Sequence, residues 1–383
     1  NLPRNIAHLV SPYLFNTGSW IYSQMKNLKG YESHVFTTFR ENTEQYPHES
    51  VVAAWEFPEP KKFISRFMLR FFDRQGVFFR PHHDRLQPLL YQAHMGFEGV
   101  RWLEFVKSTK APLVTTFYGQ DVSKLGRLEY WQKKYLELFK YGSLFLAEGS
   151  NLKRELVKLG CPEEKVVVQH LGVNPAKYQV KKREGAHVEK TIILQAASYK
   201  PKKGYQTAIA AIRDLAETRS DFEFRVIGSG DPGEIAEMQK WVREYGVGDK
   251  VVLLGALKHD QYRAELAAAD IFFHPSQVAP DGDTEGGAPV GITEACAMGL
   301  PVVATLHADI PEVVIDGKTG LLAPEKDHKA LAVHLATLID SSALRHELGA
   351  AGRMRIETEY NIFIQMDKLA QLYDNVIKEW QAR

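Results

Sequence analysis

Two glutamates, Glu285 and Glu294, stand at the ends of the stretch EGGAPVGITE. Carboxylates accept hydrogen bonds and can hold the hydroxyl groups of a ribose or a hexose. The small residues and the proline between them predict a loop that leads into the first turn of a helix. The free backbone N–H groups of such a turn attract phosphate. The stretch therefore suits a nucleotide sugar, with ribose at one carboxylate, diphosphate on the helix start and hexose at the other carboxylate.

Backbone groups, rather than side chains, would hold the phosphates at that helix start. Gly286 and Gly287 let the chain come close to a ligand, because neither residue has a Cβ atom. Pro289 stands at a first-turn position whose N–H would lack a partner in any case. The residues predicted to bind the donor through this loop are Gly286, Gly287, Ala288, Val290 and Gly291.

Short apolar runs alternate with helix-like stretches along the whole chain. The runs lack strict polar alternation, which is typical of parallel strands buried on both faces. Strands that alternate with helices predict right-handed βαβ units and parallel sheets. The predicted strands lie in residues 5–10, 33–39, 88–94, 112–119, 142–149, 165–172, 191–198, 222–230, 251–255, 271–276, 301–305 and 320–324.

The predicted fold class is α/β, with two doubly wound, Rossmann-like parallel-sheet domains. A chain of 383 residues is too long for one ordinary core. The polar stretch 174–190 lacks apolar periodicity, so we expect it to link the domains. The expected domains are residues 1–180 on the acceptor side and residues 190–360 on the nucleotide-sugar side, and residues 361–383 are expected to form a helix that returns to the first domain. Ligands of open α/β sheets bind beyond the carboxyl ends of the strands, so the site is expected in a cleft between the domains.

The composition excludes several classes of protein. Apolar residues make up 44% of the chain and charged residues 25%, as in a globular protein, and the formal net charge of +1 gives no indication of nucleic-acid binding. No apolar run approaches the roughly 20 residues that span a membrane. Cys161 and Cys296 are too few for a disulfide framework, which favours a reducing cytosol. We therefore expect a cytoplasmic protein.

Several blocks of the sequence carry a family resemblance. EGGAPVGITEACAMGLPVVAT (285–305) resembles the E-x7-E signature of the retaining glycosyltransferases of family 4, which have the GT-B fold. YKPKKG (199–204) resembles that family's phosphate-binding loop, and TTFYGQDVSKL (115–125) resembles one of its first-domain blocks. The likeness covers nearly the whole chain and is most specific in residues 190–324. Within the family, the chain is most similar to the exopolysaccharide and colanic-acid type.

The resemblance implies functional side chains on both domains. The residues that it places at the reacting centre are Glu285, Lys203 and Tyr118. Those that it assigns to the donor, besides the glycine loop, are Glu294, Ser198 and Lys200. Those of the first-domain loops are Gly18, Ser19, Gly119 and Asp121. The GT-B resemblance implies no cofactor and no essential metal. The tripeptide DGD (281–283) has oxygen ligands that suit Mg²⁺ or Mn²⁺, but the same residues suit a solvated loop.

This sequence departs from the family pattern at three positions. Glu285 lies one residue farther from Glu294 than the family spacing requires, so the motif is E-x8-E and Gly286 stands where the family has its first Glu. Ser198 replaces the family's Arg, with Lys200 and Lys202 as substitutes for the lost charge. Tyr118 replaces a His. A phenol has a reference pKa of about 10 and is a poor proton acceptor, which favours a positioning role for Tyr118 over a role as base.

These observations predict a retaining glycosyltransferase that moves a sugar from a nucleotide-diphosphate sugar to a hydroxyl group. The expected acceptor is a carbohydrate or a lipid-linked molecule in polysaccharide or glycolipid synthesis. One alternative is another GT-B enzyme, such as a sugar phosphorylase or a nucleotide-sugar epimerase. A second is a catalytically silent protein that binds sugar nucleotides, which the departures at Ser198 and Tyr118 make conceivable.

The segment KKFISRFMLRFFDRQGVFFR, residues 61–80, lies outside the alternating pattern. As one helix, it would place Lys62, Arg66, Arg70 and Arg74 in a basic stripe beside a stripe of phenylalanines. Such a helix is typical of proteins that lie on an anionic membrane surface. This interpretation expects a peripheral position on the inner face of the membrane. The alternative is a core helix with a solvated basic edge.

Overall fold

The computed structural model describes residues 4–15, 18–180 and 190–382, and it divides into two compact units. One unit comprises Asn1–Gly172 together with Ile362–Arg383, and the other comprises Val173–Asn361. The first part of the expected linker belongs to the second unit, where a short 3-10 turn spans Pro175–Lys177 and the side chain of Tyr178 is buried. Residues 181–189 of the expected linker lie outside the described residues.

The first unit is built on a seven-stranded parallel sheet of order β3-β2-β1-β4-β5-β6-β7. Its strands are β1 Asn5–Leu9, β2 Glu32–Thr37, β3 Val51–Ala53, β4 Leu90–His94, β5 Leu113–Phe117, β6 Leu144–Ala147 and β7 Val166–Val168. Its first helices are α1 Ser19–Asn27, α2 Lys61–Phe72, α3 Arg80–Leu86, α4 Gly96–Thr109, α5 Gln120–Ser123, α6 Glu129–Tyr141 and α7 Ser150–Lys158. Each of the six runs predicted for this half contains a strand. The short β3 was not predicted, because three residues do not make an apolar run.

The second unit is built on a six-stranded parallel sheet of order β10-β9-β8-β11-β12-β13. Its strands are β8 Thr191–Ala196, β9 Phe222–Ile227, β10 Val251–Gly255, β11 Ile271–His274, β12 Val302–Thr305 and β13 Gly320–Ala323. Its helices are α8 Tyr205–Ala216, α9 Pro232–Glu244, α10 His259–Ala268, α11 Val290–Ala297, α12 Ile310–Val313, α13 His328–Asp340 and α14 Ser342–Thr358. The strand order reverses between β8 and β11, which is where ligands of doubly wound sheets bind.

The last helix, α15 Ile362–Gln381, packs in the first unit. Its buried residues Met366, Leu369 and Tyr373 join one apolar cluster with residues of β1, β4 and β5. The Tyr373 hydroxyl donates a hydrogen bond of 2.9 Å to Oε1 of Gln92, at the centre of β4. The buried hydroxyl is thereby satisfied without water. This packing explains why an amphipathic C-terminal helix belongs with the first sheet.

Burial on both faces gives the strands their apolar sequence. All five residues of β5 are buried, and so are all four of β11. Between β8 and α8 the chain turns at Gly204, whose φ of 67° is left-handed. A Cβ at this position would lie 1.8 Å from the Pro275 carbonyl oxygen, so glycine is required there. The turn brings the end of the β8 loop against the loop that follows β11.

The segment 61–80 is not one helix, which corrects the basic stripe expected there. α2 ends at Phe72, and Asp73 adopts a left-handed conformation with φ 48° that stops the helix. Arg74 therefore lies beyond the helix, and the stripe is reduced to Lys62, Arg66 and Arg70. No residue of α2 is fully buried, so the alternative of a core helix is also wrong. Among the described residues, no helix is long and apolar enough to cross a membrane.

Candidate functional site

A buried ion pair occupies the carboxyl-terminal edge of the second sheet. The Lys203 ammonium donates hydrogen bonds of 2.7 and 2.8 Å to the two carboxylate oxygens of Glu285. The Glu285 side chain is only 7% exposed and that of Lys203 is 15% exposed. Burial alone would raise the pKa of Glu285, but the Lys203 charge outweighs it and holds this pKa well below its usual range. Glu285 is therefore an anion at neutral pH.

Neighbouring loops fix both members of this pair. Lys203 ends a short 3-10 turn after β8, where its carbonyl oxygen accepts a bond of 2.9 Å from the Gln195 side chain. Glu285 follows β11, and the Ser276 hydroxyl donates a bond of 2.9 Å to its Oε1. The Glu285 backbone N–H donates to Nε2 of His307. These bonds leave the carboxylate little freedom to turn.

The His274 ring lies beside Glu285 and has no hydrogen-bond partner within the described part of the chain. Its Nε2 is 3.8 Å from Oε1 of Glu285, beyond hydrogen-bonding distance, and the ring is 1% exposed. Burial lowers the pKa of His274, so the ring is neutral at pH 7.

The second glutamate of the motif is held by two tyrosines. The Tyr178 hydroxyl donates a 2.8 Å bond to Oε1 of Glu294, and the Tyr262 hydroxyl donates a 2.8 Å bond to Oε2. Burial raises the pKa of Glu294, although both hydroxyls act to lower it. An ionised carboxylate has about four lone-pair sites. Two bonds therefore leave Glu294 able to accept two more, as a ribose diol would require.

The predicted glycine loop leads directly into α11. Gly286 and Gly287 are buried, and Pro289 caps the helix, which begins at Val290. The N–H groups of the first helical turn have no intrahelical acceptor. A Cβ on Gly291 would lie 3.5 Å from the carbonyl oxygen of Ala196, the last residue of β8. The helix start thus adjoins the strand end that carries the Lys203 loop.

The other predicted donor residues have more exposed positions. Ser198 is exposed just beyond β8, and exposed Lys200 forms an ion pair of 2.7 Å with Glu234. Ala288 is partly exposed at the helix start. The Lys202 ammonium does not contact Glu285; it donates hydrogen bonds to Asp283 at 3.2 Å and to the Thr284 carbonyl oxygen at 3.0 Å. Asp283 in the DGD tripeptide therefore already has a cation beside it.

A separate group of polar side chains lies in the first unit, around Tyr118. The Tyr118 hydroxyl is 2.8 Å from Nδ1 of His94, and Nε2 of His94 is 3.0 Å from Nδ1 of His8. Burial lowers the pKa of His94 to about 3, and burial with the neighbouring His94 lowers that of His8. Burial also raises the pKa of Tyr118. His94 is therefore the centre of a chain of neutral groups.

The remaining first-domain residues build the loop that carries Tyr118. The Asp121 carboxylate accepts bonds from the backbone N–H groups of Gly96, Tyr118 and Gly119, at 2.8, 3.1 and 2.9 Å. Asp121 therefore orders the loop and has few lone pairs left for a ligand. Gly119 has a φ of 119°, a conformation that favours glycine.

Gly18 and Ser19 lie at the start of α1 in the same unit. The Trp20 ring beside them lies 5.9 Å from the Tyr118 ring, centroid to centroid. The first-domain residues predicted from the sequence therefore lie in the first unit, whereas the residues predicted to bind the donor lie in the second.

Several residues of these sites were not predicted from the sequence. They are Tyr178, Tyr262, Ser276, His274 and His307 in the second unit, and His8 in the first. Tyr178 falls in the polar stretch that was expected to link the domains, and Tyr262 lies inside an ordinary helix. His274 and Ser276 lie at the end of the predicted strand 271–276, and that position was the signal available for them.

Known proteins resemble this chain in sequence and in fold. Residues 24–177 match Glycosyltransferase Family 4, and residues 177–355 match Glycosyl transferases group 1. The amylovoran biosynthesis glycosyltransferase AmsK of Erwinia amylovora is 35% identical over 289 residues, which cover 75% of this chain and 70% of AmsK. The chain belongs to this glycosyltransferase family. The family predicted from the motifs is therefore confirmed.

A further sequence relative and a solved structure of similar fold are named with different nucleotides. A GDP-mannose-dependent monoacylated alpha-(1-6)-phosphatidylinositol monomannoside mannosyltransferase of Corynebacterium glutamicum is 31% identical over 45% of this chain and 44% of its own. HepE from Anabaena, solved with UDP and glucose, superposes with a TM-score of 0.79 over 97% of this chain and 100% of its own, at 17% identity. The fold is that of GT-B glycosyltransferases, with two Rossmann-like parallel-sheet domains, as predicted.

Removal of the Glu285 charge should destabilise this glycosyltransferase strongly. Glu285→Gln would leave the mostly buried Lys203 ammonium without its counter-charge, for which a loss of about 3 kcal/mol is expected at pH 7. Because the folded-state pKa of Glu285 is depressed, its contribution is present above the ordinary glutamate pKa of about 4.3 and is lost as the pH falls through the folded-state value. Urea unfolding of both proteins between pH 7 and pH 3 would measure the difference.

The matched control is Glu244→Gln, which breaks an exposed ion pair of 3.7 Å with Lys240 in the same unit. Exposed pairs contribute between zero and about 1 kcal/mol, so this change should be small at every pH. Equal losses for the two variants, or a Glu285→Gln loss that does not shrink in acid, would show that the buried pair has no special role.

Proposed function

We propose that this glycosyltransferase uses a nucleoside-diphosphate sugar and transfers the sugar with retention of anomeric configuration. The observation that carries the proposal is the Lys203–Glu285 pair beside the start of α11. The ammonium has three N–H groups and uses two on Glu285, so one remains for a phosphate oxygen. The helix start supplies further N–H groups to the diphosphate, and Glu294 supplies acceptors to the ribose.

The reaction proposed at this site needs no covalent enzyme intermediate. The bond from the anomeric carbon to the diphosphate oxygen breaks, and its electron pair stays on the diphosphate. Negative charge grows there, and Lys203 with the N–H groups of Val290 and Gly291 stabilises it. The acceptor oxygen then bonds to the anomeric carbon. With retention, the acceptor approaches on the face that the diphosphate leaves, so a phosphate oxygen is the nearest group to take its proton.

Glu285 is proposed to hold a hydroxyl group of the donor sugar. Its carboxylate is ionised and fixed by Lys203 and Ser276, so it can accept a hydrogen bond in a defined direction. A phosphorylase or an epimerase could use the same groups, and a catalytically silent protein could keep them for binding alone. Turnover on an acceptor hydroxyl distinguishes the transferase from these alternatives.

Lys203 should matter most for turnover. Lys203→Ala removes a donor to the charge that grows on the leaving diphosphate, so kcat should fall by roughly 100-fold or more. Hydrolysis or transfer from UDP-glucose and GDP-mannose would measure it, because a structure of similar fold was solved with UDP and glucose and one relative is named as GDP-mannose-dependent. Lys240→Ala, on exposed α9, is the control and should be neutral. If Lys200→Ala, rather than Lys203→Ala, abolishes turnover, the phosphate contact is assigned to the wrong lysine.

Lys203→Ala also leaves the Glu285 carboxylate without its counter-charge. Its effect on stability must therefore be separated from its effect on catalysis. The double variant Lys203→Met with Glu285→Gln removes both charges and should unfold at a higher urea concentration than either single change. It should remain as inactive as Lys203→Ala. Recovery of activity in the double variant would mean that the single change acted through stability alone.

The reaction is proposed to require no metal ion. Lys203 and the helix start supply positive charge to the diphosphate, and Asp283 is already paired with Lys202. Activity should therefore persist after exhaustive treatment with EDTA, within about twofold. A larger loss that Mn²⁺ or Mg²⁺ restores would assign Asp281 and Asp283 as metal ligands.

We further propose a carbohydrate or lipid-linked acceptor in polysaccharide or glycolipid synthesis, and a peripheral position on the cytoplasmic membrane surface. The names of AmsK and of the phosphatidylinositol mannosyltransferase support this class of acceptor. The exposed phenylalanines of α2 support the surface: Phe63, Phe67, Phe71 and Phe72 are 66, 44, 63 and 52% exposed. Aromatic side chains beside a basic stripe suit the boundary between headgroups and acyl chains.

The phenylalanines should decide whether the protein binds vesicles. Phe63→Ser with Phe71→Ser removes the most exposed aromatic rings of α2 and should lower co-sedimentation with phosphatidylglycerol-containing vesicles at least fivefold. Val333→Ser with Met354→Ser is matched in exposure, at 63 and 65%, and should change nothing. UDP binding should be equal in all three proteins. Wild-type protein that stays in the supernatant at low salt would refute the membrane position.

A further inference from the structure

An open pocket of about 480 Å³ lies against α2 in the first unit, on the side where the basic stripe runs. The residues that line it are Trp55, Arg66, Leu69, Arg70, Asp73 and Arg101. Three of the six carry guanidinium groups and one carries a carboxylate. A pocket in which positive charge outnumbers negative charge in this way attracts anions.

Two of the three arginines lack a counter-charge. Arg101 donates to Glu98 at 3.0 Å, and its Nε lies 3.7 Å from Asp73. Arg66 and Arg70, in contrast, form no ion pair with any carboxylate in the ranges 4–15, 18–180 and 190–382. Asp73 lines the same pocket but forms no ion pair with either of them; it lies 3.7 Å from Nε of Arg101 and accepts a bond of 2.8 Å from Tyr130. Three guanidinium groups thus stand against the carboxylates of Asp73 and Glu98, so the pocket has an excess of positive charge.

Two buried N–H groups of the lining residues are also unsatisfied. Nε of Arg101 and Nε1 of Trp55 are both inaccessible to solvent and without a hydrogen-bond partner among the described residues. Buried donors are nearly always paired, so an unpaired one calls for an explanation. Both donors belong to residues that line the pocket. An anion there would first meet the guanidinium groups of Arg66 and Arg70, and it would reach the two buried N–H groups only if their side chains turned toward it.

Trp55 positions one of the two unpaired arginines. It lies in the 3-10 turn Ala54–Glu56, and the Arg66 guanidinium stacks over its ring at 4.5 Å from the centroid. A stacked guanidinium keeps its N–H edge available for two parallel bonds to a phosphate. Phe63 and Phe67 stand on the next stripe of the same helix, so an anion bound here would lie beside the apolar surface.

We propose that this pocket binds a phosphate monoester group, with Arg66 and Arg70 as its principal ligands. The inference deepens the proposed membrane position, since a lipid that carries such a phosphate would be held while the phenylalanines enter the acyl boundary. A soluble phosphate monoester presents the same chemistry. Membrane binding requires only that basic side chains attract anionic lipids and that phenylalanines contact the acyl chains. The phosphate site requires in addition that Arg66 and Arg70 bind one phosphate group. An experiment can therefore refute either proposal without refuting the other.

The test compares two double variants of α2 with equal changes in charge. Arg66→Gln with Arg70→Gln removes the pocket arginines, and Lys61→Gln with Lys62→Gln removes two lysines that do not line it. Two probes are used: sn-glycerol 3-phosphate in solution, by calorimetry, and vesicles of phosphatidylcholine with phosphatidic acid, by co-sedimentation. The arginine pair should raise the Kd for both probes at least tenfold, and the lysine pair less than threefold.

Trp55→Phe adds a finer test, because it keeps an aromatic ring under Arg66 while it removes the indole N–H together with one of the two fused rings. The loss of one hydrogen bond predicts a Kd roughly two- to tenfold higher for glycerol phosphate. Glycerol phosphate should also release the wild-type protein from phosphatidic acid vesicles more readily than from phosphatidylglycerol vesicles.

The outcomes separate the two proposals. Glycerol phosphate binding that depends on the arginines, with no vesicle binding, supports the pocket with a soluble ligand and refutes the membrane position. Vesicle binding that falls equally in both double variants, with no binding of glycerol phosphate, overturns the pocket and leaves the membrane position standing. Binding of neither probe to the wild type overturns both.

Discussion

The donor side of this glycosyltransferase depends on one buried charge, the Glu285 carboxylate. A carboxylate that is 7% exposed is tolerated only when a positive charge and hydrogen-bond donors meet it. Lys203 supplies the charge and Ser276 supplies a donor, and each comes from a different loop at the same edge of the sheet. The pair therefore ties the loop after β8 to the loop after β11. Loss of the pair would therefore also change the shape of the proposed phosphate site.

The parallel sheet is what brings these loops together. β8 and β11 are neighbours although about 80 residues of chain separate them, and their carboxyl ends lie side by side because the strands run in the same direction. Gly204 has to be glycine, because a Cβ atom at this position would lie 1.8 Å from the Pro275 carbonyl oxygen. A constraint on the backbone thus places the Lys203 side chain.

The sequence was sufficient for the strands and for the charged residues of the motif, because both follow from local patterns. Apolar runs predicted all the strands except β3, which has three residues, and E-x8-E predicted a loop that enters a helix. The partners of Glu294 could not be predicted in this way. Tyr178 and Tyr262 come from a polar stretch and from a different helix, and only the tertiary fold brings their hydroxyls within 2.8 Å of one carboxylate. The same limit hid His8, which is 86 residues from His94.

The chain of neutral groups behind Tyr118 bears on where the proton of the reaction goes. Burial keeps His8 and His94 uncharged, and it raises the pKa of Tyr118, so none of the three can hold an extra charge at low cost. The hydroxyl of Tyr118 can still donate or accept a hydrogen bond, because a neutral His94 offers either an N–H or a lone pair at Nδ1. Such a group can orient a substrate hydroxyl but cannot remove its proton. In the mechanism proposed above, the departing diphosphate takes the proton, because it gains negative charge and so becomes more basic as the glycosidic bond breaks.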